Sequence, residues 1–423
     1  MAFVGISGAN VLPSMAQAAL YVLALAALLR PPNPLPGRLL AVLTVAVAYL
    51  LMTAALSSER GPLAAGALLV LRPCIEGFLV AHVLYKWCRI RDFRSCVVVL
   101  GGFAALQFAA ALAMALEPAW RAAFIESVYA DESYQNPEFV GALLFRGYGI
   151  SRHHLFGLPL ALGLSAAMLM IVASLERPRL ARWLMGASAI AALVVLTVNA
   201  RIGFVPVLVC YIAGATIAFN RFHPRHAMAV ALVVVLPVAS FGAVWLGDDF
   251  EAVATWLAAG VDQFGGADSD DANTLSDLRS MLVFAPGALE LLVGTGRACS
   301  TDESCYSDIG FIRALQGGGL ILLALVVYLY TRLNRHIVRF FRATVGLGGV
   351  ARRRAATLLG LVLHLTFFAA MVKGEAFGAS DYSRLVAVLA GLGLLAAAEQ
   401  RRRKRALARA RPADPVLHPS IAS

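Results

Sequence analysis

The sequence predicts an all-α protein that crosses a membrane many times, and three observations carry that expectation. Of its 423 residues, 60% are hydrophobic and only 14% charged, where a soluble globular chain carries about 25% charged residues. Apolar runs recur from end to end, each near the roughly 20 residues a helix needs to cross about 30 Å of hydrocarbon. The basic residues gather in alternate loops. The mean hydropathy of +0.76 agrees.

Eleven spans are expected, at about 11–29, 38–57, 62–85, 96–116, 154–175, 182–199, 203–219, 227–246, 309–330, 355–372 and 382–398. The first is too long for the apolar core of a cleavable leader, and no basic segment precedes it, so it reads as a retained span. The connections 30–38, 86–95, 176–182, 220–226 and 331–354, with the residues after 399, hold 25 of the 36 Lys and Arg. Basic loops stay in the cytoplasm, which predicts an external N-terminus and a cytoplasmic C-terminus. The net charge of +11 therefore records topology, with anionic-lipid contact at "RRRKRALARAR" as a further use, and does not point to nucleic acid. Residues 1–398 read as one transmembrane domain and 399–423 as a basic cytoplasmic tail.

Two external segments are long, 117–153 and 248–308. In the second, Phe250, Val253, Trp256, Leu257, Val261 and Phe264 recur at helical spacing, which predicts an amphipathic helix on the outer surface. The Pro-interrupted stretch "LRSMLVFAPGALELLVG" reads as a re-entrant or interfacial helix. Cys299 and Cys305 share this loop, and an oxidising exterior makes them a candidate disulfide. Cys74, Cys88, Cys96 and Cys210 read as packing residues or as a loop thiol.

An ionisable group within a bilayer is costly, so each one raises a question of function. Arg72 and Glu76 stand at i, i+4 in the third span, either as a self-neutralising packing pair or as a cation lining a cavity for an anionic head-group. His364 reads as a hydrogen-bonded packing residue. The external arginines form the more informative set, because positive charge is the minority on that side. Arg201 lies in the turn "VNARIGFVP", Arg146 and Arg152 flank "GYGIS", and Arg279, Arg297 and Arg313 belong to the second long loop and its exit. A planar guanidinium suits phosphate oxygens; pairing with loop acids is the alternative, least available to Arg201 in its short turn. Asp308 is either the N-cap of the ninth span or a general base. Gly317, Gly318 and Gly319 either admit a close neighbour or break that helix, and Arg313 either snorkels or points into a cavity. No metal constellation, P-loop or dinucleotide fingerprint is present, so no cofactor is expected.

The stretches "RPC", "NARIGFVPVLVCYIAG" and "DLRSMLVFAPGALELLVGTGR…YSDIGFIRALQGGGLILL" resemble the O-antigen polymerase and ligase superfamily of membrane glycosyltransferases. The resemblance covers most of the chain by topology and about 50 residues by motif. It implies a GT-C-like enzyme of the bacterial inner membrane, with its site beneath a periplasmic loop and undecaprenyl-pyrophosphate-linked oligosaccharide as donor. Arginines would hold the pyrophosphate. Arg201 and Arg279 carry over by motif position, Arg297 and Arg313 are neighbours, and Arg146, Arg152 and Arg72 complete the candidate set. Ligases place a histidine just before the ninth span, where this chain has Ser307 and Asp308. The polymerase branch is therefore expected, with Asp308, Asp302 and His153 as candidate bases in that order. A chain-length regulator and membrane lipids are the expected partners. A ligase, a lipid-linked-oligosaccharide flippase and a cell-wall glycan polymerase are the alternatives.

Overall fold

A computed structural model describes residues 37–56, 60–128, 149–150, 156–176, 178–197, 201–214, 287–295, 309–345, 349–373 and 380–410, with isolated positions at 22–23, 26, 29 and 199. These residues form helices α1 (Gly37–Leu56), α2 (Arg60–Lys86), α3 (Phe93–Leu116), α4 (Pro118–Val128), α5 (Gly157–Leu175) and α6 (Arg179–Thr197). A 3-10 turn, Arg201–Gly203, leads into α7 (Phe204–Ala213), followed by α8 (Ala288–Val293), α9 (Gly310–Thr344), α10 (Gly349–Lys373) and α11 (Ser380–Ala410). There is no strand among the described residues. Six helices, α3, α5, α6, α9, α10 and α11, are long and apolar enough to cross a membrane. The chain is thus an all-helical, multi-pass membrane protein. The expected spans at 11–29 and 227–246 lie, wholly or nearly so, outside the described residues.

Helix α5, "GLPLALGLSAAMLMIVASL", is apolar around its whole circumference, as suits either a membrane span or a helix enclosed by others. Its buried residues run almost without interruption from Gly157 to Ala173. It packs with α7, α10 and α11, and Leu160, Leu164, Met168 and Leu169 belong to the larger core. Leu158, Leu162 and Ala166 face α3 and α6.

Small residues decide how closely the inner helices approach. A methyl on Gly391 of α11 would lie 2.7 Å from the Ala81 Cβ of α2, and one on Gly393 would lie 2.7 Å from the His336 carbonyl of α9. In a membrane, where lipid is as apolar as leucine, such close contact supplies the association that hydrophobicity cannot.

The helix ends differ from the sequence expectation at three places. Helix α9 continues to Thr344, through residues expected to be loop. There Leu333, Ile337, Phe340 and Phe341 are buried at helical spacing while Arg335, Arg339 and Arg342 lie on the exposed side, so an amphipathic face carries the helix past the apolar run. Helix α11 continues from the span into the basic tail as far as Ala410, where Arg403 pairs with Glu399 one turn earlier at 3.2 Å. The segment 117–153 begins as a helix, with Pro118 at its first position, where a missing N–H costs nothing.

The described basic segments converge at one end of the bundle. Asp92 caps α3 by accepting from the Ser95 N–H at 2.8 Å. The Phe93 N–H donates to Thr344 Oγ1 at 3.0 Å, joining the start of α3 to the end of α9. Arg94 pairs with Glu176 at 2.7 Å, joining it to the end of α5. Phe93 meets Phe340 and Phe341 edge-on, with ring centroids 5.8 and 5.1 Å away.

Candidate functional site

One candidate region lies within the bundle, where α2 crosses α11. Gly77 makes the crossing possible: a methyl there would overlap the Ala387 methyl and lie 2.9 Å from the Arg384 carbonyl. The approach brings Glu76 between two guanidinium groups. Arg72 Nε donates to Glu76 Oε1 at 2.8 Å, and Arg384 Nε donates to Oε2 at 2.6 Å. Arg384 Nη1 also stands 3.6 Å from Asp381 Oδ1, an ion pair too long for a hydrogen bond. Two arginines and two carboxylates make a neutral tetrad.

Burial divides its members. The side chains of Glu76, Arg384 and Asp381 are 9%, 11% and 1% exposed, whereas that of Arg72 is 57% exposed. Three groups are locked inside and one guanidinium leans out of the cluster. Counted along the helices, the tetrad lies about 15 Å from Lys86 and about 25 Å from Arg401 at 1.5 Å per residue, within the depth of a bilayer. Pro73, next to Arg72, removes one N–H from the helix ladder at this level. Beneath it, Tyr330 of α9 stacks between Phe367 (4.2 Å) and Tyr382 (5.9 Å), and its hydroxyl lies 3.5 Å from Ser383 Oγ.

The other candidate region is the end opposite the basic one, where the chain turns sharply. Gly318 (φ −155°, ψ 18°) and Gly319 (φ 62°, ψ −162°) interrupt α9, and only glycine tolerates the second of these. The short helix α8 docks onto the gap. Its last turn ends at Gly294 (φ 82°), where a methyl would lie 2.6 Å from the Gly318 nitrogen. The Thr295 N–H and hydroxyl both donate to the Gln316 carbonyl, at 2.9 and 3.1 Å. Tyr49 of α1 ties the two pieces together, its hydroxyl 3.0 Å from the Val293 carbonyl and 3.1 Å from that of Gly318. The glycine triplet therefore does both things expected of it: the helix breaks, and another backbone fills the break.

Two further turns belong to this end. Gly203, in the 3-10 turn that starts at Arg201, touches α5 backbone to backbone: a methyl on Gly163 would overlap the Gly203 carbonyl, and one on Gly203 would lie 2.5 Å from the Pro159 carbonyl. Asn199, fully buried, donates from Nδ2 to the Val195 carbonyl at 2.8 Å and holds the preceding corner. Gln107 of α3 accepts from the Ile150 N–H at 3.0 Å, and Gly149 (φ 112°) donates to Met114 Sδ at 3.3 Å. Gly149 and Ile150 are thereby fixed to α3.

Among the sequence-predicted residues, Arg72 is in the tetrad and Arg313 lies half-buried near the start of α9. The backbone of Arg201 opens the turn against α5. Asp308, Asp302, His153, Arg279, Arg297, Arg146 and Arg152 lie outside the described residues, as do Cys299, Cys305 and the amphipathic stretch 250–264. The N-cap of α9 is Ile309, without a side-chain cap bond, so the capping position is not the one expected for Asp308. His364 Nδ1 lies 2.7 Å from the Gly360 carbonyl, a packing histidine. Cys74, Cys96 and Cys210 are buried and Cys88 is exposed, all four as free thiols. Among the described residues no His, Cys, Asp and Glu cluster could hold a metal ion.

Sequence reasoning missed Arg384 and Asp381. Their spacing, acid then base three residues later at the start of a span, was a readable signal; their meeting with Glu76, 308 positions away, was not. No family model, curated protein or solved structure matches the chain.

Proposed function

We propose that this protein is an inner-membrane glycosyltransferase that polymerises undecaprenyl-pyrophosphate-linked oligosaccharide units into O-antigen, capsule or exopolysaccharide. The observation that carries the reading is the tetrad. Arg72 donates from Nε to Glu76, yet its side chain is 57% exposed where the other three members are buried, so its guanidinium is accessible at the edge of the cluster. Such a group suits a phosphate oxygen. The turn that opens at Arg201 packs against α5, and Gly149 and Ile150 are held against α3.

In this reading an acceptor hydroxyl attacks the anomeric carbon of the donor sugar. The new C–O bond forms as the bond to the pyrophosphate oxygen breaks, and the pyrophosphate leaves with the electron pair. Arginines neutralise its developing charge. The hydroxyl proton passes to a carboxylate or histidine, for which Asp308, Asp302 and His153 are the candidates. A chain-length regulator is the expected protein partner.

The discontinuity of α9 favours a second reading, a flippase for the same lipid-linked oligosaccharide, because broken helices recur at the substrate sites of transporters. The size distribution of surface glycan in a host lacking the gene separates the two. Glycan capped with a single repeat unit supports the polymerase. Loss of all surface glycan, with lipid-linked units retained on the cytoplasmic face, supports the flippase. Finished polymer stranded on the lipid carrier would mean ligation instead. Within the polymerase reading, Arg201→Ala and Arg72→Ala each leave an inserted protein that restores only single-unit glycan; normal polymer from either variant removes that arginine from the site.

A further inference from the structure

At the basic end, where α9 finishes and α10 begins, lies an open cavity of about 420 Å³ lined by Arg339, Arg342, Ala343, Arg352 and Arg353. Four of its five lining residues are arginines, drawn in pairs from two helices. Among the described residues no carboxylate forms an ion pair with any of them, although Arg94 and Arg403, at the same end, each have one. Arg353 Nε donates to the Gly349 carbonyl at 3.2 Å, which fixes it across the first turn of α10.

Topology alone accounts for arginines at this end, but not for their placement. Cations are favoured at the C-terminus of a helix, which suits Arg342, and disfavoured at an N-terminus, which is where Arg352 and Arg353 stand. Crowding four like charges around one cavity adds repulsion that spreading them over the surface would avoid. An anion in the cavity reverses both terms. The neighbours indicate which kind: Val350, 57% exposed, stands beside Arg352 and Arg353, and both helices run from here into the apolar bundle. The cavity thus lies where the phosphates of a bilayer would be.

We propose that this cavity is a phosphate-binding site, separate from the tetrad and independent of the glycosyltransferase reading, in which Arg339, Arg342, Arg352 and Arg353 hold the headgroup phosphate of an anionic phospholipid. Guanidinium groups from two helices then grip one phosphodiester, and the bound lipid bridges the end of α9 to the start of α10. Its acyl chains lie along the bundle.

The test uses full-length protein in nanodiscs, in phosphate-free buffer at physiological ionic strength. Replacing part of the phosphatidylcholine by phosphatidylglycerol should raise Tm by about 5 °C, the stabilisation expected of a ligand well above its Kd. That rise should vanish in a variant with all four cavity arginines changed to glutamine. It should persist in a control with Arg401, Arg402, Lys404 and Arg405 changed to glutamine. Arg342→Lys with Arg352→Lys keeps the net charge and the fold, and should still lose most of the rise, because lysine lacks the planar fork. Inorganic phosphate titrated into phosphatidylcholine discs distinguishes the source of the phosphate. A rise with phosphate and none with phosphatidylglycerol keeps the site but assigns it to a soluble phosphate compound. An equal rise in the cavity variants and the wild type overturns the proposal, as does a rise lost only in the 401–405 control.

Discussion

Glu76 holds guanidinium groups from two helices, so truncations around it should separate structure from function. Removing the carboxylate takes the counter-charge from buried Arg384: Glu76→Gln should cost about 3 kcal/mol of stability, and Arg384→Ala a similar amount by taking the cation from beside buried Asp381 and one of the two from Glu76. Arg72 is more exposed, and its loss should cost only about 1 kcal/mol or less. Thermal unfolding of the three variants in nanodiscs checks this order, and a loss from Arg72→Ala as large as that from Arg384→Ala would make Arg72 a packing residue. The Arg72–Glu76 pair was legible, since i, i+4 spacing in an apolar helix leaves two such side chains on one face. Arg384 was not legible as their partner. Only the register of the crossing at Gly77 brings it there, and register between helices is a property of packing, which one helix's sequence does not contain.

Element by element, the glycines of α9 and α3 give a matched comparison. Gly319→Ala puts a side chain into a backbone conformation that L-residues avoid, and into the Leu292 carbonyl and the Gly294 nitrogen. It should lower stability by about 2 kcal/mol or more. Gly102 lies in regular helix with nothing within 4 Å of an added methyl. Gly102→Ala should raise stability by about 0.5–1 kcal/mol through helix propensity. Equal thermal shifts for the two variants would mean that the break in α9 is incidental to the fold. The glycine triplet signalled a break or a close approach, and "LRSMLVFAPGALELLVG" a re-entrant or interfacial helix, of which the described part is α8. That one would plug the other depends on Tyr49, in a different helix, and on a carbonyl geometry that side-chain patterns do not encode. The continuation of α9 to Thr344 was hidden for another reason: its arginines read as loop by composition, although the apolar residues between them keep a helical period.

For the molecule as a whole, the orientation expected from charge makes Cys88 a reporter. It is the one exposed thiol among the described cysteines and lies at the basic end, next to Arg89 and Arg91. In a protein with Cys299 and Cys305 changed to serine, an impermeant maleimide should leave intact cells unlabelled and modify Cys88 in inverted vesicles. Cys74, Cys96 and Cys210 should remain unmodified in both. Labelling from outside would invert the topology. The multi-pass helical class followed from hydropathy because a bilayer admits few alternatives for an apolar chain. The enclosure of α5 was not legible, because a helix without a polar face can meet lipid as readily as protein. The tetrad also bears on how the chain is made. Glu76 leaves the ribosome 308 residues ahead of Arg384, an interval on the order of 15–60 s at cellular rates of synthesis. Throughout that time α2 carries its own counter-ion in Arg72, one turn before Glu76, and α11 later emerges with Asp381 already one turn before Arg384. Each of these membrane-level charges therefore reaches the translocon with an opposite charge one turn away in its own helix, and the bond between the helices forms only after both are in place.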